Sequence, residues 1–164
     1  MKSNILILGD LIIDNYIYGE SSRLSPEAPI PIVNKQSEEY ILGGAGNVAK
    51  NIFKLQPKKQ NQKNSKLFGI FLDFENTDLK EELQSFGEIY FINDDLKVPK
   101  KTRIISNDKQ IVRIDEEQIF EISLQNQNRV LQQFDEIINF NEINCVVLSD
   151  YNKGFLTKYI CSYI

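Results

Sequence analysis

Two short runs, Ile5–Leu8 and Cys145–Leu148, are apolar at every position rather than at alternate ones. A strand that alternates keeps one wet face, whereas a strand with no polar position must be covered on both. Such strands belong to parallel sheets, whose crossovers lay helices on either face. The intervening chain supplies the parts. Leu67–Leu72 and Glu88–Ile92 read as further strands. Val48–Leu55 reads as a helix, and Thr77 is placed to cap a second over Asp78–Phe86, which Gly87 ends. In Leu124–Phe140 the positions Val130, Leu131, Phe134, Ile137 and Ile138 recur at helical spacing. Thr157 starts a last helix. The alternation predicts an α/β fold, a parallel sheet flanked by helices.

Two segments do not fit that sheet. Residues 16–42 hold β-prone pieces, Tyr16-Ile17-Tyr18 and Ile30-Pro31-Ile32-Val33, around Ser25-Pro26-Glu27-Ala28-Pro29. Prolines at 29 and 31 exclude a central strand. Residues 99–115 hold Lys101–Ser106 and Gln110–Ile114 about the turn Asn107-Asp108-Lys109, a hairpin pattern. Together they predict a small β-lid projecting from a core of residues 1–15, 43–98 and 116–164. Pro57–Lys66 is nearly devoid of apolar residues and reads as a solvated loop.

Composition removes several classes of function. There is no histidine, so imidazole bases and His-rich zinc sites are excluded, and no metal-ligand pattern appears. With 19 basic and 23 acidic residues the net charge is −4, which gives no footprint for nucleic acid. No stretch is long and apolar enough for a membrane span, and the apolar start is cut by Gly9-Asp10 and Asp14, unlike a signal peptide. The expected location is cytoplasmic. Cys145, inside an apolar strand, reads as a buried filler.

Ligands of open α/β sheets sit beyond the carboxyl ends of the strands. Asp10 and Asp14 follow the first strand, Gly43-Gly44-Ala45-Gly46-Asn47 opens the first helix, and Asp150 and Lys153 follow the last strand. Carboxylates and amides there suit sugar hydroxyls, and consecutive glycines let a ligand approach the backbone. Arg23, Lys101, Arg103 and Arg113 fall in the lid, where they would hold a phosphate. Gly44-x-Gly46-x-x-Ala49 has loose dinucleotide spacing. It follows an insert rather than the first strand, and lacks an acidic residue about twenty positions on, so that reading is set aside. No Gly-x-x-x-x-Gly-Lys-Ser/Thr is present.

These residues resemble a known family. Gly9-Asp10-Leu11-Ile12-Ile13-Asp14-Asn15-Tyr16 resembles the opening of PfkB/ribokinase-type sugar kinases, and Gly43–Ala49 their first signature. Arg23-Leu24-Ser25-Pro26-Glu27-Ala28-Pro29-Ile30-Pro31, Lys101–Ile104, Gln110–Asp115 and Leu148–Gly154 are similar to the bacterial heptose 7-phosphate kinases. The resemblance implies a ribokinase-like fold and transfer of the ATP γ-phosphate to the anomeric hydroxyl of D-glycero-D-manno-heptose 7-phosphate, towards ADP-heptose and lipopolysaccharide. By similarity Asp14, Gly43, Gly44 and Asn47 contact the sugar, with Arg103, Arg113, Asp150 and Lys153 at the lid and phosphate end. It also implies a homodimer through the lid. ATP and Mg2+ are expected for a complete enzyme, and neither is required by this chain.

Two departures stand out. The Gly-Asp-Asp-type turn expected after the second core strand reads Asp73-Phe74-Glu75-Asn76. The second signature, Asp-Thr-x-Gly-Ala-Gly-Asp, which carries the catalytic base, does not occur. The resemblance therefore implies the N-terminal portion of a kinase domain, with the C-terminal half of the fold, the ATP cradle and any catalytic residue absent, and no turnover by this chain alone. The alternatives are a truncated paralogue that binds sugar phosphates without catalysis, and a degenerate product without activity.

Overall fold

The computed structural model describes residues 3–56, 65–118 and 120–164. The polar run at 57–64 lies outside the described residues. Four parallel strands form the core sheet in the order β5-β4-β1-β8: β1 (Asn4–Gly9), β4 (Leu67–Leu72), β5 (Glu88–Ile92) and β8 (Ile143–Ser149). Successive side chains of a strand face opposite ways, so β1 feeds two cores. Leu6 and Leu8 point to one side, where α3 (Leu124–Phe140) and α4 (Lys158–Tyr163) close over Phe68, Ile70 and Phe155. Ile7 points to the other, beneath α1 (Gly44–Leu55) and α2 (Thr77–Phe86), with Leu42, Phe71 and Leu83. Both faces are dry at the central strands β1 and β4, as an unbroken apolar run requires, whereas the equally apolar β8 lies at the edge and leaves Leu148 39% exposed.

The helix ends follow local chemistry. Ser123 caps α3 by accepting from Asn126 N, and Thr157 caps α4 by accepting from Ile160 N. Asn76, not Thr77, caps α2: its side-chain carbonyl accepts from Leu79 N at 3.0 Å, which draws Thr77 into the first turn. Along α3, Val130, Leu131, Phe134 and Ile137 are buried, while Ile138 is 38% exposed at the margin of the stripe. Cys145 is exposed, because β8 is the outer strand among the described residues.

A second sheet stands off the first in the order β3-β2-β6-β7, with β2 (Leu11–Leu24), β3 (Pro31–Gly43), β6 (Lys100–Ser106) and β7 (Lys109–Glu116). Its strands exceed the short pieces legible in the sequence, and β2 starts at Leu11, directly after Asp10. Asn107 and Asp108, both at positive φ, turn the β6–β7 hairpin, as the tight hairpin requires.

Candidate functional site

The lid sheet sorts its residues into rows. One row across it runs Ile41, Asp14, Lys101, Asp115, and the next runs Glu39, Tyr16, Arg103, Arg113. These rows share a face, since each strand advances by two residues between them. On that face Arg103 Nη1 donates to Asp14 Oδ1, and its guanidinium lies 5.2 Å from the Tyr16 ring centroid. The Asp14 carboxylate raises Arg103 above the usual guanidinium value.

The other Asp14 oxygen rests against the backbone of Gly43, where a Cβ would approach it to 2.4 Å. Gly43 immediately precedes α1, so the carboxylate lies at the head of that helix. Asn47, in the first turn, is exposed, and its Oδ1 accepts only a long 3.4 Å bond from Asn51. Gly44 adopts φ +54° and packs on the Asp10 carbonyl, which accepts the Ala45 N–H at 2.9 Å.

A chain of ion pairs links the lid to the core. Arg113 Nε meets Asp115 at 2.8 Å, and Lys101 meets Asp115 at 3.0 Å and Glu117 at 3.6 Å. Glu117 then meets Lys153, in the loop after β8, at 2.9 Å. Lys101, then Arg113, hold Asp115 below the usual carboxylate range, and Lys153 does the same for Glu117. Asp150 is exposed and accepts from Asn152 N at 2.7 Å, closing an Asx turn.

The structure thus brings together Asp14, Gly43, Gly44 and Arg103, and joins Arg113 to Lys153 through carboxylates. It does not bring Arg23 to them. Arg23 pairs with Ile32 at the far end of β2, roughly 30 Å along the strand from Asp14. Asp10 is also withdrawn from any ligand: it is 2% exposed and its carboxylate is committed to backbone donors. Lys101 and Glu117 emerge as parts of the site's charge network, and Glu117 carried no signal beyond its position after the hairpin.

The 73–76 segment lines a cavity of about 770 Å³ between the carboxyl ends of β4 and β5 and the opposite face of the lid, with Asn93, Lys97 and Lys100. None of the eight candidate residues borders it. Asp73 there is bound by Lys80 at 2.5 Å and by Phe74 N at 2.9 Å. Among the described residues no group of three or more Cys, Asp or Glu side chains is arranged to hold a metal ion.

No family model matches the chain. Bifunctional protein HldE of a Nitratiruptor species is 40% identical over 163 residues, covering 96% of this chain and 33% of that protein. Bifunctional protein HldE of Campylobacter jejuni serotype O:2 is 40% identical over 161 residues, covering 98% of this chain and 32% of that protein. The chain is a homologue of the HldE proteins. It spans about a third of the length of those HldE relatives. Among solved structures, phosphofructokinase-2 from Escherichia coli, in its tetrameric inhibited form, matches with a TM-score of 0.60 at 15% identity, over 94% of this chain and 47% of that one. At that identity the likeness concerns the fold alone, and the fold that this HldE homologue shares with it is ribokinase-like.

Proposed function

We propose that this chain forms the acceptor-sugar side of a carbohydrate kinase acting on D-glycero-D-manno-heptose 7-phosphate, with the anomeric O1 as the hydroxyl phosphorylated. The observation that carries the reading is the Asp14 carboxylate, fixed by Arg103 and seated on Gly43 at the head of α1. A carboxylate with lone pairs to spare accepts hydrogen bonds from adjacent sugar hydroxyls, and the exposed Asn47 amide in the first turn of α1 can both accept and donate them. The guanidinium groups of Arg103 and Arg113, paired across β6 and β7, supply charge-assisted donors for the 7-phosphate. Lys153 reaches the lid's charge network through Glu117, and it is assigned to the phosphate end together with Asp150 of the same loop. ATP is the proposed phosphoryl donor. Mg2+ is proposed alongside it for a complete enzyme, and phosphoryl transfer by residues 1–164 alone is not expected. Homology to HldE supports the sugar class.

A lid-mediated homodimer is part of the same proposal. The lid face opposite Asp14 carries the row Tyr40, Asn15, Thr102, Ile114, with Val112 in the next. Tyr40, Val112 and Ile114 are 40%, 44% and 49% exposed, and the buried Asn15 Oδ1 has no partner among the described residues. Sedimentation of the purified chain tests it: a monomer at all concentrations refutes the dimer.

Calorimetric titration with D-glycero-D-manno-heptose 7-phosphate tests the site. Saturable binding is expected, weakened by about tenfold or more, equivalent to ~1.4 kcal/mol, in Asp14→Ala and in Asn47→Ala. No binding to well-folded protein refutes the reading. Binding together with turnover of ATP by the chain alone would overturn its assignment to the acceptor side only.

A further inference from the structure

Asp10 makes no contact that the proposed function uses, yet every polar atom it owns is engaged. Its N–H donates to Ser149 O at 3.0 Å, and its carbonyl accepts from Ala45 N at 2.9 Å. Its carboxylate accepts three backbone N–H groups: Tyr151 at 2.8 Å and Lys153 at 3.2 Å on Oδ2, and Phe155 at 3.0 Å on Oδ1. The donors are alternate residues, 151, 153 and 155.

Alternate amides point to one centre only when the backbone between them switches hand, as in the anion-binding concavities formed by successive N–H groups. The intervening residues show that switch. Asn152 has φ +55° and Gly154 φ +92°, both left-handed. At Gly154 the backbone also presses on Phe120, whose carbonyl oxygen would lie 2.1 Å from an added Cβ. The 150–155 loop is therefore an anion nest, and the anion that fills it is the protein's own buried carboxylate rather than a ligand's phosphate.

We propose that Asp10 is a positioning residue that ties two ligand-bearing segments, the glycine turn heading α1 and the 150–155 loop, into one frame. Main-chain carbonyl and side-chain carboxylate act from the same residue at the end of the central strand. The carbonyl sets Gly44 and Ala45, and with them the approach of Asn47. The carboxylate sets the loop that presents Asp150 and aims Lys153 at Glu117. The ligand consequence rests on the function proposed above. The tether itself does not.

The test compares wild type with Asp10→Asn and Asp10→Glu, using amide hydrogen exchange and titration with D-glycero-D-manno-heptose 7-phosphate. Asparagine keeps the size but turns an NH2 group towards backbone donors. Glutamate keeps the charge but places it a methylene too far. In both, exchange protection is expected to fall by about tenfold or more at Tyr151, Lys153 and Phe155, while Val130 and Leu131 in α3 stay protected. Affinity for the sugar phosphate is expected to fall by about tenfold or more in a protein that remains folded by circular dichroism. Unchanged protection at the three amides overturns the tether. Lost protection with unchanged affinity overturns the positioning role. A wild type that ignores the sugar phosphate refutes the proposed function, and exchange at the three amides then decides the tether by itself. Should Asp10→Asn fail to fold, Gly154→Ala, which opposes the same left-handed turn without touching the carboxylate, must reproduce both losses.

Discussion

Adjacent glycines at the head of α1 should respond to alanine in opposite ways. Gly44 has φ +54°, and an added Cβ would lie 2.3 Å from the Asp10 carbonyl oxygen. A non-glycine residue held in a left-handed conformation costs about 1–3 kcal/mol. The overlap adds roughly 1–3 kcal/mol, since the obstacle is backbone anchored by the Ala45 N–H and cannot rotate away. The sum, about 2–6 kcal/mol, is a large fraction of the roughly 5–15 kcal/mol of a typical domain. With a urea slope of about 2 kcal/mol per M, the unfolding midpoint of Gly44→Ala should fall by roughly 1–3 M. Gly43 has φ −102°, open to any residue, and its new Cβ would meet the Asp14 side-chain oxygen at 2.4 Å, an atom that χ rotation can shift, and Ile12 at 3.2 Å or more. Gly43→Ala should cost about 1 kcal/mol or less in stability, yet push the Asp14 carboxylate off its seat and weaken sugar-phosphate binding by about tenfold or more. Urea unfolding followed by circular dichroism, paired with calorimetry, reads both. If Gly44→Ala leaves the midpoint unmoved, or Gly43→Ala is the more destabilising of the two, the steric argument fails.

Arg103→Met should weaken sugar-phosphate binding by about tenfold or more, and Arg103→Lys should recover only part of it, because an ammonium neither stacks on Tyr16 nor forks towards an anion; calorimetry separates the two. Asn76→Ala should cost about 1 kcal/mol through the lost α2 cap, lowering the thermal midpoint by roughly 2–4 °C, with Thr77 offering no rescue. The lid-to-core ion pairs carry a pH signature. Asp115 and Glu117 are depressed in the folded state, so their contribution is complete above their unfolded pKa and disappears as pH falls through the folded one. The stability gap between wild type and Glu117→Gln should thus be present at neutral pH and close on acidification below the usual carboxylate range, as urea midpoints across pH will show. A gap that widens in acid contradicts the pairing.

The core was legible because its signals are local. The apolar runs of β1 and β8, the helical stripe of α3, and Gly87 after α2 each identify their own element within a few residues. The α2 cap was misplaced by one position because Asn76 and Thr77 are both capping residues, and only the 3.0 Å bond to Leu79 N tells them apart. The lid strands were underestimated because their middles, such as Lys35–Tyr40, are polar and exposed, so no hydrophobic period marks them. Asp10 looked like a ligand because it follows a strand, as ligands in such sheets do. Its true partners lie more than 140 residues along the chain, and no pattern within a window reveals them. The exposure of Cys145 depends in the same way on where β8 falls in the sheet order, which is a property of the assembled fold.

The single residue between β1 and β2 has a mechanical consequence. The lid is joined to the core sheet at Asp10 without slack, β3 runs straight into α1 through Gly43, and Pro99 O is bonded to Ile13 N where β6 begins. A flap mounted on such short couplings cannot swing freely as a door does. Its movement against the sheet has to be distributed as twist along β2 and β3, whose ladder is interrupted near Tyr18/Gly19 and Glu20/Arg23. The compliant part is therefore the distal tip carrying Arg23, and the base carrying Asp14 and Arg103 is stiff before any ligand arrives.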